Sequence, residues 1–560
     1  MKPSHLTQLL ARLRPTVQQE AAALPEPFPG YVLFFSISDG KKQAKVVTAT
    51  GTDFAGTWKQ GAGRARRAAA AERMVPRWVR VDWVESVEPV TWRELRERLR
   101  RTKRNYFRNG LSLDRQFKTA FLETELNANA MLYGGADVEH AVLNERNFQR
   151  YARRRHQLDT VEFVDAEQVY VFSARGTFTS DQSKDVVLLH GAGPDASRRV
   201  LDRLEPGDVR SLIRRGSDYL ATQVGPEGRF IYGWHPCFDR PINAYNSLRH
   251  ASTLYAMLEA WEVTGDAKLK AAIDRSLDYL TGTMIRLVEL APSRMAAFLI
   301  DEGDEIKLGG NAVCLLALVK YNELTGTDRY LGLLDQLASG ILHMQDAVSG
   351  RFSHVLNYPS LTVKEDFRII YYDGEAAFGL MRLYGLTGDG RWLAAVERAF
   401  EHFIAAQHWK VHDHWLSYCV NELTLYRPLE RYYAFGIRNF LDHLDFVLNR
   451  ITTFPTLLEL MMAAECMIAR LQRQPELKHL LADVDLDKFY RALHARAHHL
   501  LNGHFWPELS MFFANPDRIT GSFFIRHHAF RVRIDDVEHY LSGFVAYLRF
   551  LEANHAHSPT

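Results

Sequence analysis

The stretch ASTLYAMLEAWEVTGD, residues 251–266, decides how the C-terminal part of the chain folds. Small and apolar residues dominate it on all sides, which is typical of a helix that is buried all round. Gly265 can take the left-handed conformation that ends a helix, and Asp266 can cap a helix that follows. The stretch therefore predicts an α-hairpin, with a buried first helix and a second helix that covers it.

The same pattern recurs twice further along the chain, at 312–327 and 376–389. The three Thr-Gly pairs, which end at Gly265, Gly326 and Gly388, are spaced by 61 and 62 residues. A fixed spacing of this size indicates a repeated supersecondary unit.

Extending the pattern gives two sets of six helices each. Mostly apolar helices are expected to begin near Asn246, Gly309, Asp373, Asp413, Phe454 and Asp535. Amphipathic helices are expected at 209–223, 267–287, 328–345, 391–407, 429–448 and 487–501. Apolar helices need burial and amphipathic helices can supply it, so we predict an (α/α)6 toroid, with an open superhelical stack as the alternative.

The opening part of the chain has a different character. Short β-branched or aromatic runs at 31–37, 45–50, 78–87, 162–172 and 186–189 predict strands. A basic amphipathic helix begins after Thr91, which forms a capping box with Glu94. At 560 residues the chain is long enough for several domains. We expect a mainly α protein with an α+β domain at 1–205 and the toroid at 206–560.

Charge and composition exclude several classes of protein. Hydrophobic residues make up 47%, and 69 Lys+Arg face 67 Asp+Glu, so the chain is globular and has no strong overall field. Residues 59–108 carry fifteen basic and six acidic residues, which could receive a polyanion. The alternative is a solvated helix face, and since no nucleic-acid motif accompanies the charge we do not expect nucleic acid as a partner.

The expected localisation rests on the spacing of the cysteines and on the length of the apolar segments. The four cysteines are far apart, so neither a zinc ribbon nor a disulfide scaffold is encoded, and reduced, buried thiols are expected. An apolar run of about 18 residues does not occur, so membrane insertion is not expected. We expect a soluble cytoplasmic protein.

The long connections would carry the function. Links at 226–245, 289–308, 346–372 and 502–534 would all emerge where the inner helices begin, and long ordered loops are often functional. Aromatic rings among carboxylates and Arg or His donors suit a sugar, because its C–H faces stack on rings and its hydroxyls need directional partners. The Arg and His surplus favours an anionic saccharide. The residues that we expect to be catalytic are Asp373, Glu375, Asp535, Asp536, His250 and Tyr372, and those expected to bind substrate are Trp234, Tyr245, Asn246, Arg249, Arg368, His528, Arg531 and His539.

The repeated Tyr/Trp-x-x-Thr-Gly-Asp/Thr helix ends and the Gly-Arg-Phe elements at 228–230 and 350–352 resemble the (α/α)6 toroids of carbohydrate-active enzymes. The toroid domains of D-glucuronyl C5-epimerases and of the N-acylglucosamine 2-epimerase group look similar. The resemblance covers about 209–554, does not reach the N-terminal domain and matches no catalytic signature, so it implies an architecture and a substrate class only.

Three mechanisms are open. Hydrolysis of a glycosidic bond would pair Asp373 or Glu375 with Asp535 or Asp536 as acid and base. Epimerisation or elimination at a uronic acid would use Tyr371, Tyr372 or His250 to move a proton, with Arg249, Arg368 or Arg531 holding the sugar carboxylate.

Simpler interpretations stand beside these roles. Asp373, Asp413 and Asp535 could be helix N-caps, and His250 could be a core histidine. At the level of the whole protein, the alternative to an enzyme is a glycan- or peptide-binding scaffold with a basic docking helix. A cyclase-like toroid ranks last, because the zinc ligands and the Asp-x-Asp-Asp cluster are missing.

No cofactor or metal is expected. His494 and His498 are four residues apart on an outer helix, without a carboxylate at a known metal-site spacing. The VLLHGAG turn at 187–193 has no Gly-x-Ser-x-Gly partner, and no phosphate-binding glycine loop follows a strand. The sequence leaves the substrate, the reaction type and the oligomeric state open.

Overall fold

The structure is a computed structural model and describes residues 5–555. The chain divides into two compact units. The first unit contains the residues up to Asp202 together with Gly233–Ile242 and Leu501–Val532, and the second contains the rest. The sequence interpretation, with its boundary after residue 205, assigned both of the later segments to the C-terminal domain.

The first unit is built on an antiparallel sheet. Its strands are ordered β2-β1-β3-β6-β4-β5, and β7 pairs with β6. The expected strand at 162–172 begins only at Gln168. The elements up to residue 202 are α1 His5–Glu20, β1 Tyr31–Ser38, β2 Lys45–Gly51, α2 Phe54–Ala71, β3 Trp78–Thr91, α3 Trp92–Arg101, β4 Gly110–Ser112, β5 Ala120–Phe121, α4 Glu123–Ala128, α5 Glu145–His156, β6 Gln168–Ser180 and β7 Val187–Leu189.

Two apolar clusters form the core of this unit. One packs α1 and α2 on the strands and includes Leu9, Trp58 and Trp83. The other gathers α3, α5 and the far ends of β3 and β6, and includes Trp92 and Phe148. The helix α3 starts at the predicted capping box, in which the Thr91 hydroxyl accepts from the amide of Glu94.

A buried arginine ties the segment 501–532 to the sheet. Arg80 is 1% exposed, pairs with Asp82 and donates from Nη1 to the carbonyl oxygen of Glu508 at 2.8 Å. The buried Glu508 carboxylate in turn accepts two hydrogen bonds from Arg199, at 2.8 and 2.9 Å. Buried charges are costly unless they are paired, so these contacts fix where the late segment packs.

The second unit is a closed double ring of helices. In the described part of the chain, each inner helix packs on the next, and α20 packs on both α16 and α7. This closure confirms the predicted (α/α)6 toroid. The inner helices are α7 Ser247–Thr264, α9 Leu308–Thr325, α11 Tyr371–Thr387, α13 His414–Tyr426, α16 Thr456–Leu471 and α20 Ile534–His555, and the outer helices are α6 Pro206–Gln223, α8 Ala267–Tyr279, α10 Leu331–His343, α12 Gly390–Ala405, α14 Glu430–Leu441 and α17 Leu486–His499.

Polar contacts join the last inner helix to the first. Ser252 donates to a carboxylate oxygen of Glu538 at 2.8 Å, and Ser542 donates to Glu259 at 2.7 Å. Both contacts connect α7 with α20, so the seam where the ring closes is held by hydrogen bonds as well as by apolar packing.

The helix ends of the repeat behave largely as predicted. Gly265, Gly326 and Gly388 all have left-handed backbone, with φ of 61°, 64° and 69°. Asp266 and Asp389 cap α8 and α12 through their carboxylates. The middle hairpin, formed by α9 and α10, differs because α10 begins only at Leu331 and has no side-chain cap.

All four long connections contain strands that the sequence interpretation missed. The helix expected at 267–287 ends at Tyr279, and a π-helical turn covers Leu280–Met284. Strand β10 follows, and partly buried residues alternate with exposed ones over 288–291, as they do in a strand with one side towards solvent. In the second unit, β10 to β14 form an antiparallel sheet in chain order. The remaining elements are β8 Gly233–His235, β9 Arg240–Pro241, β10 Ile285–Ala291, β11 Arg294–Asp301, β12 Glu305–Lys307, β13 Val355–Asn357, β14 Val363–Glu365, β15 Val532–Arg533, α15 Leu444–Asn449, α18 Pro507–Ser510 and α19 Pro516–Ile519, with 3-10 turns at His408–Val411, Lys478–Leu481, Leu500–Gly503 and Arg526–His528.

Two further features of the chain are the state of its cysteines and the hydropathy of its helices. The four cysteines are free, and three of them are buried as expected, whereas Cys466 is exposed. Between residues 5 and 555, the helices do not combine the length and the apolar character needed to cross a membrane.

The two Gly-Arg-Phe elements occupy equivalent places in the toroid. Gly228 and Gly350 have φ of 90° and 74°, and each lies against the backbone of an outer helix. A Cβ on Gly350 would be 2.1 Å from the carbonyl oxygen of Arg398. The glycines are therefore required by backbone geometry, and these elements dock the loops onto the outer ring.

Replacing Gly350 by alanine is expected to lower the free energy of unfolding by about 3 kcal/mol or more, since left-handed backbone alone costs about 1–2 kcal/mol and the clash adds to it. Gly326→Ala is the matched control, because Gly326 is left-handed with nothing within 4 Å of its Cβ position. It should lose only about 1–2 kcal/mol. Urea unfolding measures both variants, and equal losses would contradict the close approach at Gly350.

Candidate functional site

Titratable side chains gather in the first turns of four inner helices of the toroid. Because these helices belong to one closed ring and begin at the same end of it, residues far apart in sequence come together there. The residues are Tyr372, Asp373 and Glu375 on α11, His414 on α13, Glu459 on α16, and Asp535, Asp536, Glu538 and His539 on α20.

Glu375 is the most strongly perturbed acid of this group. Its side chain is buried, with 4% of the residue exposed. Burial, with the nearby carboxylates of Asp413 and Glu538, raises the pKa of Glu375 well above its usual range, against the opposing effect of His539. Its Oε2 atom has no hydrogen-bond partner among the described residues and lies against Gly309, where a Cβ would come within 1.9 Å of it. Its surroundings therefore favour the uncharged form of the Glu375 carboxyl group.

A cluster of two imidazoles and a carboxylate lies beside it. His539 Nδ1 is 2.9 Å from Glu459 Oε2 and 3.6 Å from Glu538 Oε1. The rings of His539 and His414 are 5.4 Å apart. Burial alone would lower the pKa of His539, but the Glu538 and Glu459 carboxylates outweigh it and raise that pKa to about 10. His539 is thus an imidazolium ion at neutral pH.

Glu538 responds to the same surroundings. Burial raises its pKa to about 7, although His539 favours the charged form. The Glu538 carboxyl also accepts the hydrogen bond from Ser252 that closes the ring. The site and the seam between α20 and α7 therefore share this residue.

His414 is placed by the residue that caps its own helix. The Asp413 carboxylate accepts from the amides of Trp415 and Leu416, as the N-cap interpretation predicts, and lies 3.3 Å from His414 Nδ1. The other ring nitrogen, Nε2, is buried and has no hydrogen-bond partner among residues 5–555. With a proton on Nδ1, facing the carboxylate, Nε2 is left as a proton acceptor.

Asp373 is held by a histidine rather than by backbone amides. His354 Nδ1 accepts from the amides of Arg368 and Ile369, so Nε2 carries the proton and donates to Asp373 at 3.3 Å. Asp373 is therefore not a simple helix cap. The neighbouring Tyr372 lies 5.5 Å from the His354 ring, and burial raises the pKa of this tyrosine to about 12.

Asp535 faces two arginines. Arg249 Nε donates to Asp535 Oδ2 at 2.8 Å, and Arg533 lies 3.0 Å from the same oxygen. Burial opposes the charge of Arg249, but the Asp535 carboxylate outweighs it and raises the pKa of that arginine. Oδ1 of Asp535 is buried without a hydrogen-bond partner in the described part of the chain.

Two predicted residues, Asp536 and Asn246, accept hydrogen bonds from backbone amides at the N-termini of α20 and α7. Asp536 accepts from the backbone amide of Arg533 at 3.1 Å, and Asn246 accepts from the amide of Arg249 at 3.1 Å. Asn246 also donates to Asp301, which is joined to Lys307 by an ion pair. These contacts account for both side chains in structural terms.

Two other predicted residues, His250 and Tyr245, are placed away from this group. His250 is fully buried between α7 and α8, where Nδ1 contacts the Tyr245 hydroxyl at 2.7 Å and Nε2 contacts the carbonyl of Ser276 at 3.1 Å. Burial lowers the pKa of His250 to about 4. The core-histidine interpretation therefore describes His250, and Tyr245 belongs to the same packing contact.

Arg368, the other predicted substrate-binding arginine in the toroid, is neutralised by carboxylates. Arg368 forms a two-fold ion pair with Glu305, at 2.8 and 3.1 Å, and pairs with Glu365 as well. Trp234, His528 and Arg531 belong to the first unit, so the structure does not group them with the toroid residues. The expected surplus of free positive charge at the toroid mouth is therefore not found among these residues.

Sequence reasoning missed His354, His414, Glu459 and Glu538. His414, Glu459 and Glu538 each lie within about one turn of a helix start that the repeat pattern had located. A systematic survey of the first turns of the inner helices could have found the last three. His354 lies in a connection that was interpreted as a loop, and no local signal marked it.

The His414, Glu459 and His539 group also has the composition of a metal site. One ligand atom from each lies within 4.8 Å of the others. Two imidazoles and a carboxylate are ligands that zinc accepts. A metal would have to displace the proton that His539 shares with Glu459, and the ligand atoms would have to draw closer together. As it stands, the arrangement is better suited to proton transfer.

Comparisons with known proteins give only distant similarity. No protein-family model and no curated protein matches the chain. A D-mannose isomerase structure is 11% identical, covers 62% of this chain and 97% of its own, and has a TM-score of 0.46. The cellobiose 2-epimerase from Bacillus thermoamylovorans B4167 is 11% identical, with 62% and 100% covered and a TM-score of 0.46.

A third similar structure is an unsaturated glucuronyl hydrolase specific for heparin, 10% identical, with 61% and 98% covered and a TM-score of 0.43. Similarity at this level carries no argument about the site. The toroid is assigned from the closure of the chain's own helices.

The raised pKa of His539 makes a prediction about stability. A cation whose folded pKa is raised stabilises the fold fully below its unfolded pKa of about 6.5, and this contribution is lost as pH rises towards about 10. His539→Gln should therefore be most destabilised relative to the native chain near pH 6.5, and the difference should shrink towards pH 10. Urea unfolding at pH 6.5, 8 and 9.5 measures it. The exposed His479→Gln is the control, and a constant difference for His539→Gln would contradict the assignment.

Proposed function

We propose that the chain is an enzyme that acts on a saccharide by acid–base catalysis inside the toroid. One observation carries the proposal. Three buried side chains from three inner helices each leave a polar atom without a hydrogen-bond partner among the described residues: Glu375 Oε2, His414 Nε2 and Asp535 Oδ1. Buried polar atoms in native proteins are nearly always satisfied, so atoms like these call for a ligand that supplies hydroxyl groups.

The proton states assign the roles. Glu375, whose pKa is raised by burial, is the proton donor, and His414, oriented by Asp413, is the proton acceptor. The His539 imidazolium supplies positive charge for an oxyanion that develops on the substrate. An acid and a base with separated proton states in one enclosure are what general acid–base catalysis requires.

Aromatic side chains beside these groups support a sugar. Phe367 is 56% exposed, and its ring lies 4.7 Å from that of His354. Tyr371 is 37% exposed and lies 5.6 Å from His414. Exposed rings next to polar groups fit the C–H faces and hydroxyls of a sugar.

The charges favour a neutral sugar over an anionic one. Arg249 and Arg368 are paired with carboxylates, and Glu375 is surrounded by Asp413 and Glu538 as well as by His539. A substrate carboxylate would add to this negative charge. We therefore propose a neutral, hydroxyl-rich saccharide in place of the acidic glycan expected from the sequence.

Epimerisation and isomerisation remove a proton from a sugar carbon and return a proton to a carbon. Such a reaction would use the acid Glu375, the base His414 and the cation His539. The imidazole acceptor is the feature that favours this reaction over hydrolysis, which would pair Glu375 with a carboxylate such as Asp535. The similar solved structures include proteins named as a mannose isomerase and a cellobiose epimerase, which agrees with the proposal without carrying it.

The reaction class is tested by incubating the chain with neutral and uronate-bearing mono- and oligosaccharides in D2O. Epimerisation or isomerisation should place deuterium on a sugar carbon, which NMR detects. New reducing ends without deuterium would mean hydrolysis, and an unsaturated product would mean elimination. Binding without turnover would support the scaffold alternative.

Glu375→Gln is expected to lower kcat by about 100-fold or more, because the amide cannot donate the proton. Glu422→Gln is the matched control, since Glu422 is also an inner-helix glutamate whose pKa is raised by burial, but it lies near the far end of α13. Steady-state kinetics and thermal unfolding measure both variants. Equal loss of activity in the two variants would contradict the role of Glu375.

Phe367→Ala is expected to raise KM by about 2- to 10-fold with little change in kcat, corresponding to the loss of an aromatic contact of about 0.5–1.5 kcal/mol. Val363→Ala, an exposed residue of the same connection, is the control. A change confined to kcat would show that Phe367 does not serve as a sugar platform.

A further inference from the structure

A cavity of about 470 Å³ lies in the first unit, and none of its lining residues belongs to the toroid site. Residues from four elements or loops of the sheet domain line it, including Thr48 of β2, Arg64 of α2, Lys118 of the loop before β5 and Arg155 of α5. Its volume falls in the range of sites for small organic ligands.

The lining of this cavity is positively charged and contains no aspartate or glutamate. In the described part of the chain, neither Arg64 nor Lys118 forms an ion pair, whereas Arg96 and Arg98 of helix α3 are paired with carboxylates. Arg64 and Lys118 are exposed at the open side of the cavity. Cations that line one cavity repel each other, and a bound anion removes that cost.

Two guanidinium groups converge on one residue of the strand. Arg64 donates to the carbonyl oxygen of Thr48, and Arg155 donates from Nη2 to the hydroxyl of the same threonine at 3.1 Å. Arg155 is also held by the buried carboxylate of Glu125 at 3.1 Å. The charge is thus presented by positioned side chains, and planar guanidinium groups match the oxygens of a phosphate.

Besides Val47 and Phe117, the other lining groups are polar and uncharged. His156 contacts the carbonyl oxygen of Ala120 through Nε2 at 3.1 Å, so that nitrogen carries the proton and Nδ1 remains an acceptor. Burial, together with the charge of Arg155, lowers the pKa of His156 to about 4, which keeps the ring neutral. Gln116 and Gln157 add amide donors and acceptors. These groups suit hydroxyls, which a free inorganic ion lacks.

We propose that this cavity binds a small phosphate monoester that also carries hydroxyl groups, such as a sugar phosphate, with Arg64, Lys118 and Arg155 on the phosphate. The site gives the sheet domain a ligand-binding role of its own. It uses part of the basic stretch that the sequence analysis had left without a function, and it does not depend on the reaction proposed for the toroid.

The test is isothermal titration calorimetry on the full chain, with glucose 6-phosphate, inorganic phosphate and glucose as probes. Glucose 6-phosphate should bind at least about 10-fold more tightly than inorganic phosphate, glucose should not bind at this site, and affinity should fall as salt is raised. Failure of both phosphates to bind would overturn the proposal.

Arg64→Ala and Lys118→Ala should each weaken binding of glucose 6-phosphate by about 5- to 10-fold without changing the unfolding midpoint. Arg66→Ala on the same helix and Arg115→Ala in the same loop are matched controls, because neither residue lines the cavity. Equal weakening by the control variants would show a diffuse charge effect and overturn the proposal.

A third arm distinguishes the source of the phosphate. Vesicles of neutral phospholipid, with and without phosphatidylinositol phosphate, are sedimented with the chain. Cosedimentation that Arg64→Ala abolishes, without binding of glucose 6-phosphate, would replace the small-molecule ligand by a lipid headgroup and overturn the proposal as stated.

Discussion

Ring closure between α20 and α7 is the constraint on which the rest of the toroid depends. Each inner helix is apolar on almost every side, so none of them can be exposed to water without a large loss of hydrophobic stabilisation. A ring of parallel inner helices solves this problem, and it also brings the first turns of all its members to one end. The chemistry of the site follows from that geometry, because the carboxylates and imidazoles are the polar residues that occupy those turns.

Closure has an electrostatic consequence. Asp413, Glu459, Asp535 and Glu538 are all buried at this end of the ring, and the negative charge around Glu375 and Glu538 disfavours their charged forms. The repulsion raises the pKa of Glu375 and of Glu538, and the positive charge of His539 opposes it. The distribution of protons that makes these residues useful for catalysis is therefore also what allows the ring to close around them.

The sequence predicted the toroid because its determinants are local. The Thr-Gly-Asp ends and the all-round apolar helices place the inner helix starts within a few residues of their positions, and the capping role of Asp413 follows from the same logic. The site was predicted only in part. Glu375, Asp373, Asp535 and His539 lie in first turns that the pattern located, but His250 faces the outer ring, a direction that the position of one residue in a helix does not reveal. His354 acts from a strand-bearing connection that was interpreted as a loop, and the ion pair of Arg368 with Glu305 spans 63 residues, beyond the reach of any local pattern.

The first unit is assembled from three separate stretches of chain, and the contact of Arg80 with Glu508 joins residues 428 positions apart. During synthesis on the ribosome, the sheet emerges hundreds of residues before the segment that covers Arg80 and Asp82. This pair lacks the contact with Glu508 until nearly the whole polypeptide has been made. Folding of the first unit is thereby coupled to completion of translation, and a chain released early would lack the Glu508 carbonyl group that accepts from the buried arginine.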